Sequence, residues 1–418
     1  MNLRQFTPEG TLRAFAAHLP RIAALGVGIV WLLPIHPIGE MNRKGTLGSY
    51  YSVRDYRAVS AEFGTLADLQ AVVAETHRLG MRLMLDWVAN HCAWDNPLVS
   101  QHPGWFRRDA AGQLVAPFPD WTDVVAFDYA NPELRAWMTE SMAYWLRAAD
   151  VDGFRCDVAG MVPTDFWDVA RAALDAVKPA NDIFMLSEWD DLFDPVLRTV
   201  APPTHQLQRA FDAQYAFRLH WLFDEIAAGT APVSALDEYL ALERATYPPG
   251  VSLMNFTSSH DVNSWEGSEY ERLGANALPL AVLAALLPGL PMVYSGQESA
   301  LRRRLAFFER DPIDWADYPL AGFYTTLLTL HARHPALAAF DGASAFSRIA
   351  SPAGTFAFSR HKGRAAVLVA VNLTATPQHV LLPPAAAGPW QDLFAAAPRA
   401  IGAEPLSVPP HGWVVLAR

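Results

Sequence analysis

The chain has 418 residues, 51% of them apolar and 18% charged, which is a globular composition and not a disordered one. Its 32 Lys and Arg against 43 Asp and Glu leave a net charge of −11, which counts against binding nucleic acid or an anionic membrane through bulk charge. Two cysteines exclude a disulfide scaffold and fit a reducing compartment.

In chain order, Met1 to Gly10 has no apolar run behind a basic patch, so no signal peptide and a cytoplasmic location are expected. Leu3–Phe6 reads as the remnant of a first strand clipped at Met1. Apolar residues at Leu12, Phe15, Leu19, Ile22 and Leu25 predict a helix over Thr11–Leu25. The buried-strand runs that follow are Val27–Leu33, Met81–Val88, Asp152–Asp157, Ile183–Glu188, Val251–Ser258 and Leu290–Ser295, with a weaker one near Ala210–Asp212. Helical patterns lie between them at Thr65–Leu79, Pro132–Ala149, Thr164–Val177, Ser234–Ala245, Arg272–Leu287 and Leu320–His331. The longest apolar stretch, Leu278 to Leu287, is too short to span a bilayer, so no membrane partner is expected.

Strand and helix alternating over about 330 residues predict an α/β fold, a (β/α)8 TIM barrel over residues 1–338. An open doubly wound sheet is the alternative, but no Gly-rich fingerprint follows the first strand. Residues 92–125, rich in Pro and without periodicity, read as a short inserted loop domain after the third strand. Residues 339–418 read as a C-terminal antiparallel β domain, from the alternating runs Ala345–Ile349, Thr355–Arg360, Ala365–Asn372, His379–Leu382 and Trp413–Ala417. Trp390 and Trp413 in that domain are expected in its packing.

Chemistry in a barrel sits at the C-terminal strand ends. Four of these ends carry acids: Asp86, Asp157, Glu188 and Asp261. One strand-end acid can simply cap the next helix, whereas four on one face suggest a site. Glycoside hydrolysis needs a proton donor and a carboxylate nucleophile or stabiliser, about 5–5.5 Å apart in retaining enzymes. Asp157 and Glu188 end consecutive strands, and Arg155, two residues before Asp157, shares its face. A cation there would keep a nucleophile ionised, while Glu188 beside Trp189 and other acids would titrate high, as an acid should.

These motifs resemble those of the α-amylase family of retaining α-glycosidases. Asp86, Asn90 and His91 match its Asp-x-x-x-Asn-His; Gly153, Arg155 and Asp157 match Gly-x-Arg-x-Asp; Glu188 matches the strand-five Glu; His260 and Asp261 match the His-Asp pair. The resemblance implies Asp157 as nucleophile, Glu188 as acid/base, and Asp261 as the carboxylate that holds sugar hydroxyls. It implies that His91, Arg155 and His260 line the sugar site, that Tyr51 is the aromatic platform at the cleavage point, and that Asp86 and Asn90 support it structurally. Tyr50 and Tyr56 read as packing residues, and Gln297 and Glu298 as structural. His36 is open between a site role and a structural hydrogen bond.

The implied substrate is an α-1,4-linked glucan or maltooligosaccharide. A transglycosylase or isomerising synthase using the same site is the alternative, and a non-catalytic sugar-binding relative a remoter one. Many starch-acting members carry Lys-His three and four residues after the nucleophile; here Gly160 and Met161 stand there. No cofactor is required and no metal site is expected. Some members bind structural calcium through the Asn90 equivalent and acids of the insertion, but Asp95, Asp109, Asp120 and Asp123 show no ligand spacing. Cys92 and Cys156 are expected as reduced, buried thiols.

Overall fold

The computed structural model describes residues 1–179, 182–192, 204–340 and 343–418, and the chain divides into two compact units. The first comprises residues 1–215 and 305–313, the second 216–304 and 314–418.

The first unit opens with three short helices, α1 (Leu3–Phe6), α2 (Leu12–Ala16) and α3 (Leu19–Ala24). Two expectations fail here. Leu3–Phe6 is helical, not a strand, with all four side chains buried. The single helix over Thr11–Leu25 is two helices: His18 is an N-cap and Pro20 sits in the first turn of α3, where a proline has no N–H to continue the preceding helix. Next come β1 (Ile29–Leu32), α4 (Leu66–Arg78) and β2 (Arg82–Trp87). Thr65 and Asp68 form a reciprocal capping box that starts α4, and Gly80, at φ +76°, lies just past its end.

Residues 91–126 are tied at their base. β3 (His91–Ala93) pairs antiparallel with β4 (Val124–Ala126), and the short helix α5 (Pro97–Gln101) lies between. The Pro-rich interior hid these three-residue strands from periodicity. Beyond them run α6 (Pro132–Ala149), β5 (Gly153–Cys156), α7 (Thr164–Asp175), β6 (Phe184–Ser187) and β7 (Ala213–Tyr215). The weak strand expected near Ala210–Asp212 thus falls three residues later, after a 3-10 turn at Thr204–Arg209. The sheet order is β1-β2-β5-β6-β7, all pairs parallel, with Leu85 opposite Phe154 and Phe154 opposite Met185. These strands are buried on both faces, as their near-continuous apolar runs require.

The second unit begins with α8 (Phe217–Ala227), α9 (Ala235–Thr246) and β8 (Ser252–Asn255). The expected helix over Arg272–Leu287 is divided into α10 (Glu269–Leu273) and α11 (Ala277–Leu286) by Gly274, at φ +55°. β9 (Leu290–Pro291) pairs parallel with β8, and α12 (Ala321–Arg333) follows. The C-terminal part holds β10 (Ala345–Ile349), β11 (Thr355–Lys362), β12 (Ala365–Asn372), β13 (Gln378–Val380), β14 (Gly388–Asp392), β15 (Ala397–Ile401), β16 (Leu406–Val408) and β17 (Gly412–Ala417). Six of these form an antiparallel sheet, ordered β10-β11-β12-β17-β14-β15, while β13 pairs with β16. β14, β15 and β16 escaped the sequence reading because Pro389 and Pro398 interrupt the alternation of the first two and β16 has three residues. Leu368, Ala370, Trp390, Val414 and Leu416 share one core cluster. Trp390 is buried and donates Nε1–H to Ala386 O at 2.8 Å, while Trp413 packs edge-on against Phe323 and Phe394.

The alternation of parallel strands with helices, followed by the antiparallel sheet, is the (β/α)8-barrel class with a C-terminal β domain. No helix among the described residues is long and apolar enough to cross a membrane.

Candidate active site

Arg155 organises the site. It projects from β5, is fully buried, and carries a permanent charge, so its cost of burial must be offset by acceptors. Its Nη1 donates to Asp86 Oδ1 and to Asp157 Oδ1, both at 3.0 Å, and its Nη2 pairs with Glu188 Oε1. Nε donates to Tyr215 Oη at 3.2 Å, and the guanidinium carbon lies 5.1 Å from the Trp31 ring centre and 5.7 Å from that of Tyr51. Register explains the convergence. Asp86 is paired with Arg155 across β2 and β5, and Glu188 N donates to Cys156 O just past the end of β6. Period-two alternation sends Arg155 and Asp157 to one face and Cys156 to the other.

Asp86, fully buried, also accepts from Trp31 Nε1 and Tyr51 Oη, each at 3.1 Å. Burial pushes its carboxyl up to about 7 despite the opposing pull of Arg155. Glu188 is likewise raised to about 7. Desolvation is the main cause, Arg155 opposes it, and the nearby Asp157 charge adds to it. One guanidinium cannot neutralise three carboxylates in a dry site, so a proton stays on part of the set near neutral pH.

Glu188 Oε2 accepts from Val158 N at 2.8 Å. Val158 holds φ 37° and ψ 47°, the left-handed region that a β-branched residue avoids, at a cost of about 1–3 kcal/mol. The strained turn aims that N–H at the acid.

His91 is buried, and burial lowers its imidazole to about 3, so it is neutral. Asn90 Nδ2 donates to His91 Nδ1 at 3.3 Å, which assigns the ring proton to Nε2, 4.0 Å from Asp157 Oδ2. Half-buried Tyr51 lies nearly parallel to Phe307, at 18° and 6.4 Å. Tyr50 and Tyr56 are core residues; Tyr56 donates to Val88 O and His91 O, both at 2.7 Å, and so braces the strand exit. His36 is also structural: buried, bonded to Ala58 O at 3.2 Å, and edge-on to Trp87.

The first unit thus brings together Tyr51, Asp86, Asn90, His91, Arg155, Asp157 and Glu188. His260 and Asp261 belong to the second unit, directly before a π-helical turn at Val262–Glu266. There His260 Nε2 lies 3.1 Å from Asp261 Oδ2, with His260 buried and the Asp261 side chain 46% exposed. Gln297, also buried there, holds Thr257 and Glu269, a structural role. Sequence reasoning missed Trp31, Tyr215 and the Val158 N–H. Trp31 and Tyr215 lie within short apolar strands, where nothing marks an aromatic as facing a charge.

Three of the acids weighed for calcium have partners within the protein. Asp123 Oδ1 lies 3.3 Å from Lys44 Nζ, and Asp95 Oδ2 lies 3.3 Å from Arg54 Nε. Asp109 closes its own turn on Ala111 N and Gln113 N. Protein cations and amides contact one oxygen of each of these three acids, while Asp95 Oδ1 is buried without a hydrogen-bond partner.

The family model for the α-amylase catalytic domain matches residues 4–111 and 119–326. The chain is similar over its full length, at 32% identity and a TM-score of 0.89, to the crystal structure of an α-amylase from Lactobacillus plantarum, 97% of which is covered. It is 26% identical to a cyclomaltodextrinase of Geobacillus thermopakistaniensis over 98% of this chain and 70% of that protein. It is 26% identical to the α-amylase MalA of Haloarcula japonica over 79% of this chain, and the match spans about half (47%) of MalA.

Proposed function

This chain belongs to the α-amylase family, and we propose that it is a retaining α-glycosidase acting on α-1,4-linked glucans or maltooligosaccharides. The observation that carries the reading is the Arg155 hub, which holds Asp157 and Glu188 side by side in a buried site with Glu188 raised to about 7.

Glu188, half protonated near neutrality, donates its proton to the glycosidic oxygen as the bond to the anomeric carbon breaks. The Asp157 carboxylate, oriented by Arg155, attacks that carbon and forms a glycosyl ester. Glu188, now deprotonated, takes a proton from water; the water oxygen replaces Asp157 and the anomeric configuration is retained. The neutral His91 presents Nε2–H on the Asp157 side, where a sugar hydroxyl would accept it. Tyr51 offers a ring face to the apolar C–H surface of the sugar. Asp261 and His260 complete the reading as the residues that hold sugar hydroxyls. The cyclomaltodextrinase and α-amylase similarities support the substrate class.

Asp157→Asn and Glu188→Gln are each expected to lower kcat on maltooligosaccharides by roughly three powers of ten or more. Near-parental turnover by either variant would refute the assignment. The family's transglycosylation chemistry uses the same intermediate with a sugar as acceptor. Longer products at high substrate concentration would identify it.

A further inference from the structure

The second unit holds an ionisable cluster outside the residues assigned to this reaction. We propose that His220, Asp224 and Glu266 form a site for a divalent transition-metal ion, with Zn2+ the ion whose ligand preferences they match. His220 and Asp224 lie four residues apart on α8, hence on one helix face. Glu266 ends the π-helical turn Val262–Glu266 and brings a third ligand from a separate segment.

His220 is 1% exposed and stacks on Phe256, with ring centres 4.9 Å apart at 16°. Neither of its ring nitrogens has a hydrogen-bond partner. Nε2 nonetheless points into the cluster, 3.6 Å from Asp224 Oδ2 and 3.6 Å from Glu266 Oε2. One ligand atom from each residue lies within 4.8 Å of the others. Zn–N and Zn–O bonds of about 2.0–2.2 Å in a tetrahedron separate ligand atoms by about 3.3–3.6 Å, so the His220 spacings need almost no rearrangement. Two carboxylates offset the charge of the ion, with the Arg272 guanidinium beside Asp224 adding one positive charge.

The surroundings fit as well. Arg272 Nη1 donates to Asp224 Oδ1, the oxygen turned away from His220, and so orients the ligand. The Glu266 side chain is 45% exposed, which leaves an entry path and a fourth position for water.

The test is equilibrium dialysis of the chelator-treated full chain against ZnCl2 up to about 100 μM, with Co2+ absorption as a second readout. One Zn2+ per chain is expected, with visible Co2+ bands of tetrahedral intensity. Glu266→Gln, at a half-exposed position that does not endanger folding, should weaken binding roughly tenfold or more. His220→Asn should abolish it. No saturable uptake, or a Glu266→Gln affinity less than about tenfold below the parent's, would overturn the site.

Discussion

At the scale of single residues, the site is a charge problem solved by one side chain. Truncating one partner of a buried ion pair leaves the other uncompensated, at about 3–5 kcal/mol. Arg155→Ala is therefore expected to lower both stability and turnover, measured as the urea midpoint and kcat. Gly160 shows why this chain lacks the lysine that many starch-acting members have after the nucleophile. A Cβ there would lie 2.2 Å from the Trp189 ring. Gly160→Ala should cost about 1–3 kcal/mol, and Trp189→Ala in the same chain should recover most of it. Additive losses in the double variant would contradict the contact. Val158→Gly should hold stability within about 0.5 kcal/mol of the parent or above it, since the left-handed strain is relieved. A loss of several kcal/mol would show that the strain is not there. The acids, Arg155 and His91 were legible in the sequence because chemistry restricts those residue types to strand ends. The Val158 amide was not, because a backbone N–H carries no residue signature.

At the scale of elements, the glycine of the Gly-x-Arg-x-Asp motif is a packing requirement. Gly153 has φ +144°, and a Cβ would sit 1.9 Å from Phe184 O on the paired strand β6. Gly153→Ala is expected to cost of the order of 3 kcal/mol, because backbone cannot yield as a rotamer can. A thermal midpoint unchanged by that variant would contradict the β5–β6 register. Long strands and helices were readable because period two and period 3.6 persist over many residues. The failures have two causes. Pro20 and Gly274 each interrupt an apolar period that continues across them, so one predicted helix becomes two. β3, β4 and β16 have three residues each, and pairing across the chain, not local pattern, makes them strands.

At the scale of the whole molecule, proton linkage has two opposed parts. His36, His91 and His331 are held neutral at about 4, 3 and 4 by burial, below the unfolded value near 6.5. Their stabilisation is complete above about 6.5 and is lost as pH falls toward 4, because the unfolded chain takes up the protons. Asp86 and Glu188 are raised to about 7, so their stabilisation is complete below about 4 and is lost as pH rises through 7. Three histidines outweigh two carboxyls between pH 4 and 6.5, so thermal midpoints should rise over that range. A midpoint that rises steadily toward pH 4 would contradict these burials. Cys92 and Cys156 are fully buried, with thiols pushed up by desolvation, and should label with a thiol reagent only after unfolding. The central claim is a covalent intermediate on Asp157 formed beside the acid Glu188. It is tested most directly by incubating Glu188→Gln with α-maltosyl fluoride, whose leaving group needs no proton donor, and mapping the adduct by peptide mass spectrometry. A glycosyl ester on Asp157 is the predicted result. An adduct on Asp86 or Asp261, or turnover with no adduct and an inverted product, would contradict it.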